Sequence, residues 1–252
     1  MVSFIEAVFL GMIQGLTEWL PVSSSGHLVI AQQLFDISAS LAYDLFLHVA
    51  TVLVLLIYFR DRIRTIIRDV FSGNFTTPSA RLAWFVVVGS LPTAIIGFLF
   101  QDYFASFFHS LTVVSIALLV TGSLLFVCER YSSMKQLTLR HSFLIGCVQG
   151  LSLIPGISRS GSTIGVGLLL GVEKKIVAEY SFLLAIPAII GAFVFQISES
   201  SFVFESSMLV GFVVAFFIGY WSLSLLMRVI SVGKLHYFSY YCWIVGITII
   251  IL

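Results

Sequence analysis

Long apolar stretches separated by short polar segments dominate this sequence. Six of them are long enough to cross a bilayer as helices, because the hydrocarbon core requires about 20 residues. They comprise residues 41–59, 82–101, 111–128, 176–197, 207–227 and 236–252. The pattern therefore predicts an all-α integral membrane protein with six transmembrane helices.

Two further apolar regions, residues 1–36 and 141–171, are interrupted near the middle by proline and small polar residues. Their halves of about 13 residues, at a rise of about 1.5 Å per residue, are too short to span a bilayer. Interrupted segments are tolerated at membrane depth where they line a cavity within the protein. We therefore predict two re-entrant helical hairpins in addition to the six spans.

The composition agrees with a lipid environment. Apolar residues make up 59% of the 252 residues and charged residues 10%, whereas soluble domains average about 45–50% and about 25%. These values exclude a cytosolic enzyme, a secreted disulfide scaffold, a disordered tail and a nucleic-acid binder. The three cysteines lie far apart in apolar runs, without a pairing pattern or metal-ligand spacing.

Basic residues are confined to one set of loops. All but one of the 13 Lys and Arg residues lie in the loops that follow the first, third and fifth spans or precede the fourth. Alternation places these loops on one side, and the opposite loops, 102–110 and 198–206, contain no Lys or Arg. The positive-inside rule then makes the basic side cytoplasmic and places both termini outside.

The two interrupted regions resemble each other. Residues 11–16 align with residues 146–151 at an offset of 135, and residues 21–26 align with 155–161 with a one-residue slip. At the same offset, Asp44 in the first span matches Glu179 in the fourth.

Each copy contains one hairpin and three spans. Since three crossings are an odd number, the second copy must be upside down relative to the first. We therefore predict a single membrane domain over residues 1–252, built from inverted-topology repeats at approximately 6–128 and 141–252. In such repeats the functional site is expected near the midplane.

The first break carries a carboxylate, hydroxyls and an imidazole. Gln14 and Glu18 are four residues apart and share a helix face, and Ser24 and His27 are three apart at the start of the next half-helix. A lone intramembrane histidine more often bonds neighbouring backbone than reacts, but His27 lies beside serines and a glutamate. For His48, in the first span, both interpretations stay open.

The second break offers groups that suit a phosphate. Residues 155–163 contain glycines, hydroxyl side chains, free N–H groups at a helix start and Arg159. Backbone N–H groups and a guanidinium fork together bind anions. An arginine at membrane depth costs at least about 2.5–3.5 kcal/mol and therefore needs an anionic partner. Glu18 and a bound phosphate would both serve, and the serines and glycines could alternatively be packing residues.

Together the two breaks resemble the signature motifs of the undecaprenyl-diphosphate phosphatase family, the bacitracin-resistance type of integral membrane phosphatase. The family's first motif, (Glu/Gln)-x-x-x-Glu followed by Pro-Val-Ser-Ser-x-Gly-His, is similar to Gln14, Glu18 and residues 21–27. Its second motif, Pro-Gly-x-Ser-Arg-Ser-Gly-x-Thr, is similar to residues 155–163. Length and repeat also fit, so the resemblance covers nearly the whole chain.

The resemblance implies hydrolysis of undecaprenyl diphosphate to undecaprenyl phosphate and inorganic phosphate. This reaction recycles the lipid carrier for peptidoglycan synthesis and gives bacitracin resistance. The expected partners are a polyprenyl diphosphate and membrane lipid, with no nucleic acid, and a homodimer is left open. The expected location is the bacterial cytoplasmic (inner) membrane, with both termini on the periplasmic side.

The resemblance also implies roles for the site residues. The expected catalytic residues are Glu18, Ser24, His27 and Arg159, with His27 as general base and Ser24 as the nucleophile that it activates. Direct attack by His27 and attack by water stay open. Glu18 is the expected ligand of a divalent cation, Mg²⁺ or Ca²⁺, because position 14 is Gln where many members have Glu. The expected substrate-binding residues are Gln14, Ser23, Ser25, Gly156, Ser158, Ser160, Gly161 and Thr163.

A secondary transporter or lipid-carrier flippase is the main alternative. Inverted repeats with broken helices at the midplane are typical of that class. The Ser, His, Arg and Glu cluster favours hydrolysis, since transport needs no nucleophile or base. A scaffolding protein would leave Arg159 unexplained.

Overall fold

The computed structural model describes residues 2–131, 134–199 and 204–252. Over these residues the chain forms twelve α-helices, which confirms the prediction of an all-helical protein. They are α1 (Phe4–Thr17), α2 (Ser24–Leu34), α3 (Leu41–Tyr58), α4 (Arg60–Phe71), α5 (Pro78–Leu99), α6 (Gln101–Phe107), α7 (Leu111–Cys128), α8 (Leu139–Leu151), α9 (Arg159–Leu169), α10 (Lys174–Glu199), α11 (Ser206–Val232) and α12 (His236–Ile251).

Five of these helices, α3, α5, α7, α10 and α11, are long and apolar enough to cross a membrane. The protein is therefore a multi-pass membrane protein. The helix at the predicted sixth span, α12, has only 16 residues. At about 24 Å it is shorter than a hydrocarbon core of about 30 Å, so a sixth crossing stays a prediction.

The segment between the first two spans differs from the loop that the basic residues suggested. Twelve of its residues form α4, in which four arginines alternate with apolar residues at helical spacing. The following span also begins earlier than predicted, at Pro78. Thr77 caps it, because its side chain accepts a hydrogen bond from the Ala80 N–H at 3.1 Å, and proline fits the first helical position.

Each interrupted region forms two short helices around a break, as predicted. The four helices α1, α2, α8 and α9 have 14, 11, 13 and 11 residues, or about 16–21 Å. Serine caps the second helix of each pair: Ser23 accepts from the Gly26 N–H, and Ser158 accepts from the Gly161 N–H. Re-entry of the two pairs from opposite faces stays a prediction.

The first helix of each pair packs closely on a long helix of the other half of the chain. A Cβ on Gly11 in α1 would lie 2.5 Å from the carbonyl oxygen of Gly211 in α11. A Cβ on Gly146 in α8 would lie 2.1 Å from the carbonyl oxygen of Gly89 in α5. Small residues allow such approach between membrane helices. Gly11 and Gly146 align in the sequence repeat, so the two hairpins pack on their long helices through corresponding glycines.

Candidate active site

The two breaks border a cavity of about 140 Å³ inside the helical bundle. A single water needs roughly 10–15 Å³ of such space, so the cavity admits a larger polar group. Both breaks contribute polar residues to its lining, namely Glu18, Ser23, Ser24, Ser25, Ser158 and Arg159. The remaining wall is largely apolar and comes mainly from α3, α10 and Phe108.

The Glu18 carboxylate accepts three side-chain hydrogen bonds, and the residue is only 7% exposed. One carboxylate oxygen, Oε1, accepts a hydrogen bond from Nη2 of Arg159. The other, Oε2, accepts from the Ser24 hydroxyl at 2.6 Å and from Nε2 of Gln14 at 3.0 Å. Glu18 is thus the anionic partner that Arg159 requires at membrane depth. It also orients the Ser24 hydroxyl.

Arg159 lines this cavity and has one donor without a partner among the described residues. Its Nη2 is bonded to Glu18, and its guanidinium lies over the Trp19 ring at 5.4 Å from the centroid. Its Nη1 is buried and has no hydrogen-bond partner among the described residues. A buried donor without a partner is rare and costs about 1–3 kcal/mol. The free Nη1 therefore marks a position for an oxygen of an anionic ligand.

Ser23 joins the two breaks to each other. Its hydroxyl accepts hydrogen bonds from the Gly26 N–H at 3.2 Å and, across the repeat, from the Gly156 N–H at 3.1 Å. Its backbone has φ of +70°, which is unusual for a residue other than glycine. The strained turn places Ser24 at the first position of α2, directed at Glu18.

His48, on α3, belongs to the site although the sequence left its role open. Its Nδ1–H donates to the carbonyl oxygen of Asp44 at 2.7 Å, and its Nε2 lies 3.3 Å from Oε2 of Glu18. His48 therefore contacts both Asp44 and Glu18 at the cavity wall.

His27 does not line the cavity in the structure, and its role as the base for Ser24 stays a prediction. Its Nδ1 donates to the Ser23 carbonyl oxygen at 2.7 Å, and its Nε2 lies 2.8 Å from the Tyr241 hydroxyl. The imidazole also stacks on the Tyr241 ring with centroids 5.6 Å apart. Both nitrogens are thus occupied away from Ser24, whose hydroxyl donates to Glu18 instead. In this arrangement His27 fixes the first break.

Four residues of the second break form its internal structure instead of lining the cavity. The N–H groups of Gly156 and Gly161 donate to Ser23 and Ser158, so neither is free for an anion. Gly156 has φ of +98° and lies so close to α7 that a Cβ would be 2.4 Å from the Val114 carbonyl oxygen. The other two, Ser160 and Thr163, are buried, and Thr163 lies 2.5 Å from the Ser181 hydroxyl.

From the first break, Gln14 also lies outside the lining and acts through its hydrogen bond to Glu18. Conversely, the cavity gains polar residues that no motif indicated. These are Asp44, His48, Thr93, Gln149 and Ser152. They reach the cavity through the packing of α3, α5 and α8, which local spacing does not reveal.

The donor set around Glu18 does not fit a divalent cation held by the protein alone. Mg²⁺ and Ca²⁺ take six or more oxygen ligands, whereas both oxygens of Glu18 accept hydrogen bonds, one of them from the cationic Arg159. Within the described ranges no group of three or more His, Cys, Asp and Glu is placed to hold a metal. A cation requirement stays a prediction, and its ligands would have to come largely from the diphosphate.

Comparisons with known proteins identify the family. Residues 7–248 match the family described as Bacitracin resistance protein BacA. A protein named undecaprenyl-diphosphatase from Halothermothrix orenii is 44% identical, over 98% of this chain and 97% of its own length. Its namesakes from Methanosphaera stadtmanae and Carboxydothermus hydrogenoformans are both 40% identical, over 100% and 98% of this chain and 99% and 96% of their own lengths. The chain therefore belongs to the bacitracin resistance protein BacA family.

Proposed function

We propose that this protein hydrolyses undecaprenyl diphosphate to undecaprenyl phosphate and inorganic phosphate. The relatives' names state this activity, and one structural observation carries it to this chain. Ser24, Glu18 and Arg159 all line one largely apolar cavity, in which the Ser24 hydroxyl donates to Glu18 and Nη1 of Arg159 has no partner among the described residues. The reaction recycles the lipid carrier for peptidoglycan synthesis and accounts for bacitracin resistance.

The proposed chemistry uses Ser24 as nucleophile. Phosphoryl transfer depends mainly on positioning and charge neutralisation, and Arg159 supplies both when Nη1 binds an oxygen of the terminal phosphate. The Ser24 Oγ attacks the terminal phosphorus while its proton passes to Oε2 of Glu18, 2.6 Å away. The bond from phosphorus to the bridging oxygen breaks, and the lipid monophosphate leaves. Water then cleaves the phosphoserine and releases inorganic phosphate, which restores the hydroxyl.

Two neighbours position Glu18 for this step. Gln14 donates to Oε2, and Nε2 of His48 lies 3.3 Å from the same oxygen. His27 and Tyr241 keep the first break in the conformation that aims Ser24 at Glu18. We assign His27 this positioning role in place of the role of general base.

Removal of the His48 contact should slow turnover. A hydrogen bond to a charged group contributes about 1.5–3 kcal/mol, so His48→Leu should lower kcat by roughly 10- to 100-fold. His48→Gln should retain more activity, because its amide can still donate to Glu18. His109→Leu is the matched control, since His109 is exposed and lies outside the cavity. A wild-type kcat in His48→Leu would remove His48 from the site.

We also propose a topology of six spans and two re-entrant hairpins, related as inverted repeats. The cavity is lined by Leu41 at the start of α3 and by Phe108, whereas the arginines of α4 follow the opposite end of α3. With the basic side cytoplasmic, the site opens towards the outer face of the bacterial inner membrane. Both termini then lie on that outer side.

Phosphate release tests the function and the orientation together. Purified protein in detergent should release one inorganic phosphate per polyprenyl diphosphate, whereas a transporter or flippase would release none. In sealed right-side-out vesicles, externally added substrate should be hydrolysed without permeabilisation, and inside-out vesicles should require it. Hydrolysis confined to inside-out vesicles would reverse the orientation, and absence of release in detergent would reject the function.

A further inference from the structure

A second cavity, of about 310 Å³, lies on the basic side of the molecule. It is formed by α4, α5, the start of α10 and the segment before α8. Its charged lining residues are Arg62, Arg81 and Glu179. Most of the remaining wall is apolar and includes Leu82, Phe85, Leu137 and Ile176. It therefore combines cationic groups with an apolar surface.

The two arginines of this cavity differ in the hydrogen bonds and ion pairs that their side chains form. Arg62 is fixed, because its Nε pairs with Glu179 and its Nη1 donates to the Ser79 hydroxyl at 2.8 Å. Arg81 is exposed, and its side chain makes no hydrogen bond or ion pair with the rest of the described chain. Two guanidinium groups against one carboxylate leave the cavity with a formal charge of +1. It thus offers an unneutralised guanidinium fork beside a rigid ion pair.

The helix that borders this cavity is suited to the surface of a bilayer. α4 contains four arginines, and none of its residues is buried. Two of its apolar side chains are strongly exposed, Ile67 at 50% and Phe71 at 87%, whereas Ile63 and Ile66 pack against the hydrophobic core. Arginines together with exposed apolar side chains suit a helix to the interfacial plane of a bilayer. The cavity therefore lies at the level of the lipid headgroups.

We propose that this cavity binds the headgroup of an anionic phospholipid. Basic pockets between membrane helices bind such headgroups, and arginine matches phosphate oxygens with two donors. Arg81 would bind the phosphate, Arg62 would add a fixed positive charge, and the wall around Phe85 would contact the chains. A soluble anion would gain no binding energy from the apolar side chains around Phe85, whereas the acyl chains of a lipid would. The lining therefore favours a lipid. This site is separate from the active-site cavity and does not depend on the proposed function.

The internal repeat gives independent support. Ile176 and Glu179 in the first turns of α10 line the basic cavity. Leu41 and Asp44, 135 residues earlier in the first turns of α3, line the active-site cavity. Corresponding turns of the two copies thus each border a cavity that contains arginine. The start of α10 therefore borders the basic cavity in the second copy, as the start of α3 borders the active-site cavity in the first.

The test compares lipids and soluble phosphate on the intact protein in detergent. Phosphatidylglycerol should raise the melting temperature by several degrees, whereas phosphatidylcholine with the same chains and inorganic phosphate should not. Arg81→Gln should lose most of this shift, and native mass spectrometry should show loss of the retained phosphatidylglycerol. Arg140→Gln, another exposed arginine of the basic side outside the cavity, should behave as wild type.

Three results would overturn the site. They are equal losses in Arg81→Gln and Arg140→Gln, equal stabilisation by inorganic phosphate, or no preference for phosphatidylglycerol over phosphatidylcholine. The lipid-free melting temperature and detergent activity of Arg81→Gln should match wild type, because the Arg81 side chain makes no hydrogen bond or ion pair with another described residue. Should that variant fold poorly, Arg81→Lys keeps the charge without the fork, and an intermediate shift is then the expected result.

Discussion

Replacement of Arg159 by lysine should reduce kcat/KM for phosphate release by about 10²–10³-fold, the range for loss of one donor to a transition-state oxyanion. The guanidinium uses Nη2 for Glu18 and keeps Nη1 for the ligand. An ammonium is a compact point charge and cannot satisfy both partners with fixed geometry. It also loses the planar contact with the Trp19 ring.

The Arg159→Lys assay is steady-state phosphate release in detergent, compared with Arg140→Lys. Arg140 is exposed and lies outside both cavities, so the same exchange there should leave activity unchanged. The melting temperature of each variant reports whether the fold is intact. Near-normal kcat/KM in Arg159→Lys would show that one positive charge suffices and that the free Nη1 has no role.

Replacement of Ser24 by alanine should abolish turnover, with a loss on the order of 10⁴-fold or more, because the group that forms the covalent bond is removed. Ser24→Cys should retain slight activity, since a thiolate still attacks phosphorus poorly. If water were the nucleophile, Ser24→Ala would lose only one hydrogen bond, about 0.5–1.5 kcal/mol or roughly tenfold in rate. The size of the loss therefore separates the two mechanisms.

Ser25→Ala is the matched control for Ser24→Ala. Ser25 lines the same cavity, but among the described residues its hydroxyl forms a hydrogen bond only with that of Ser23, at 3.3 Å. Its loss should cost about tenfold or less, the equivalent of one neutral hydrogen bond. A Ser24→Ala enzyme within tenfold of wild type, or one indistinguishable from Ser25→Ala, would remove Ser24 from the mechanism.

The elements that the sequence predicted best are those with strong local signals. Apolar length located the five long helices, and proline with small polar residues located the two breaks. Glu18 is one of the two partners that the sequence predicts for Arg159, because a buried guanidinium requires an anion. The sequence pattern does not predict α4, because four arginines between two spans are typical of a loop, although the apolar residues of this segment have helical spacing.

The roles of the two histidines could not be read from spacing. A separation of three residues places Ser24 and His27 on one helix face, but it does not say which helix that face meets. Tyr241, 214 residues away, accounts for the orientation of His27. His48 reaches Glu18 only because α3 packs against the first break. Both outcomes depend on tertiary contacts between distant parts of the chain.

Caps explain why fewer N–H groups are free than the second break suggested. A helix start leaves N–H groups without partners, and on this ground the sequence predicts an anion site over residues 155–163. The Ser158 side chain occupies the Gly161 N–H, and Ser23 from the other break occupies the Gly156 N–H. The guanidinium of Arg159 therefore carries most of the capacity to bind an anion.

The central claim is that Ser24 accepts the phosphoryl group in the cavity shared with Glu18 and Arg159. Rapid quenching during turnover of a polyprenyl diphosphate radiolabelled in its terminal phosphate tests it most directly. The account predicts an acid-stable phosphoserine that maps to Ser24 and is absent from Ser24→Ala. An acid-labile phosphohistidine at His27, or a first turnover that releases phosphate with no label on the protein, would contradict it.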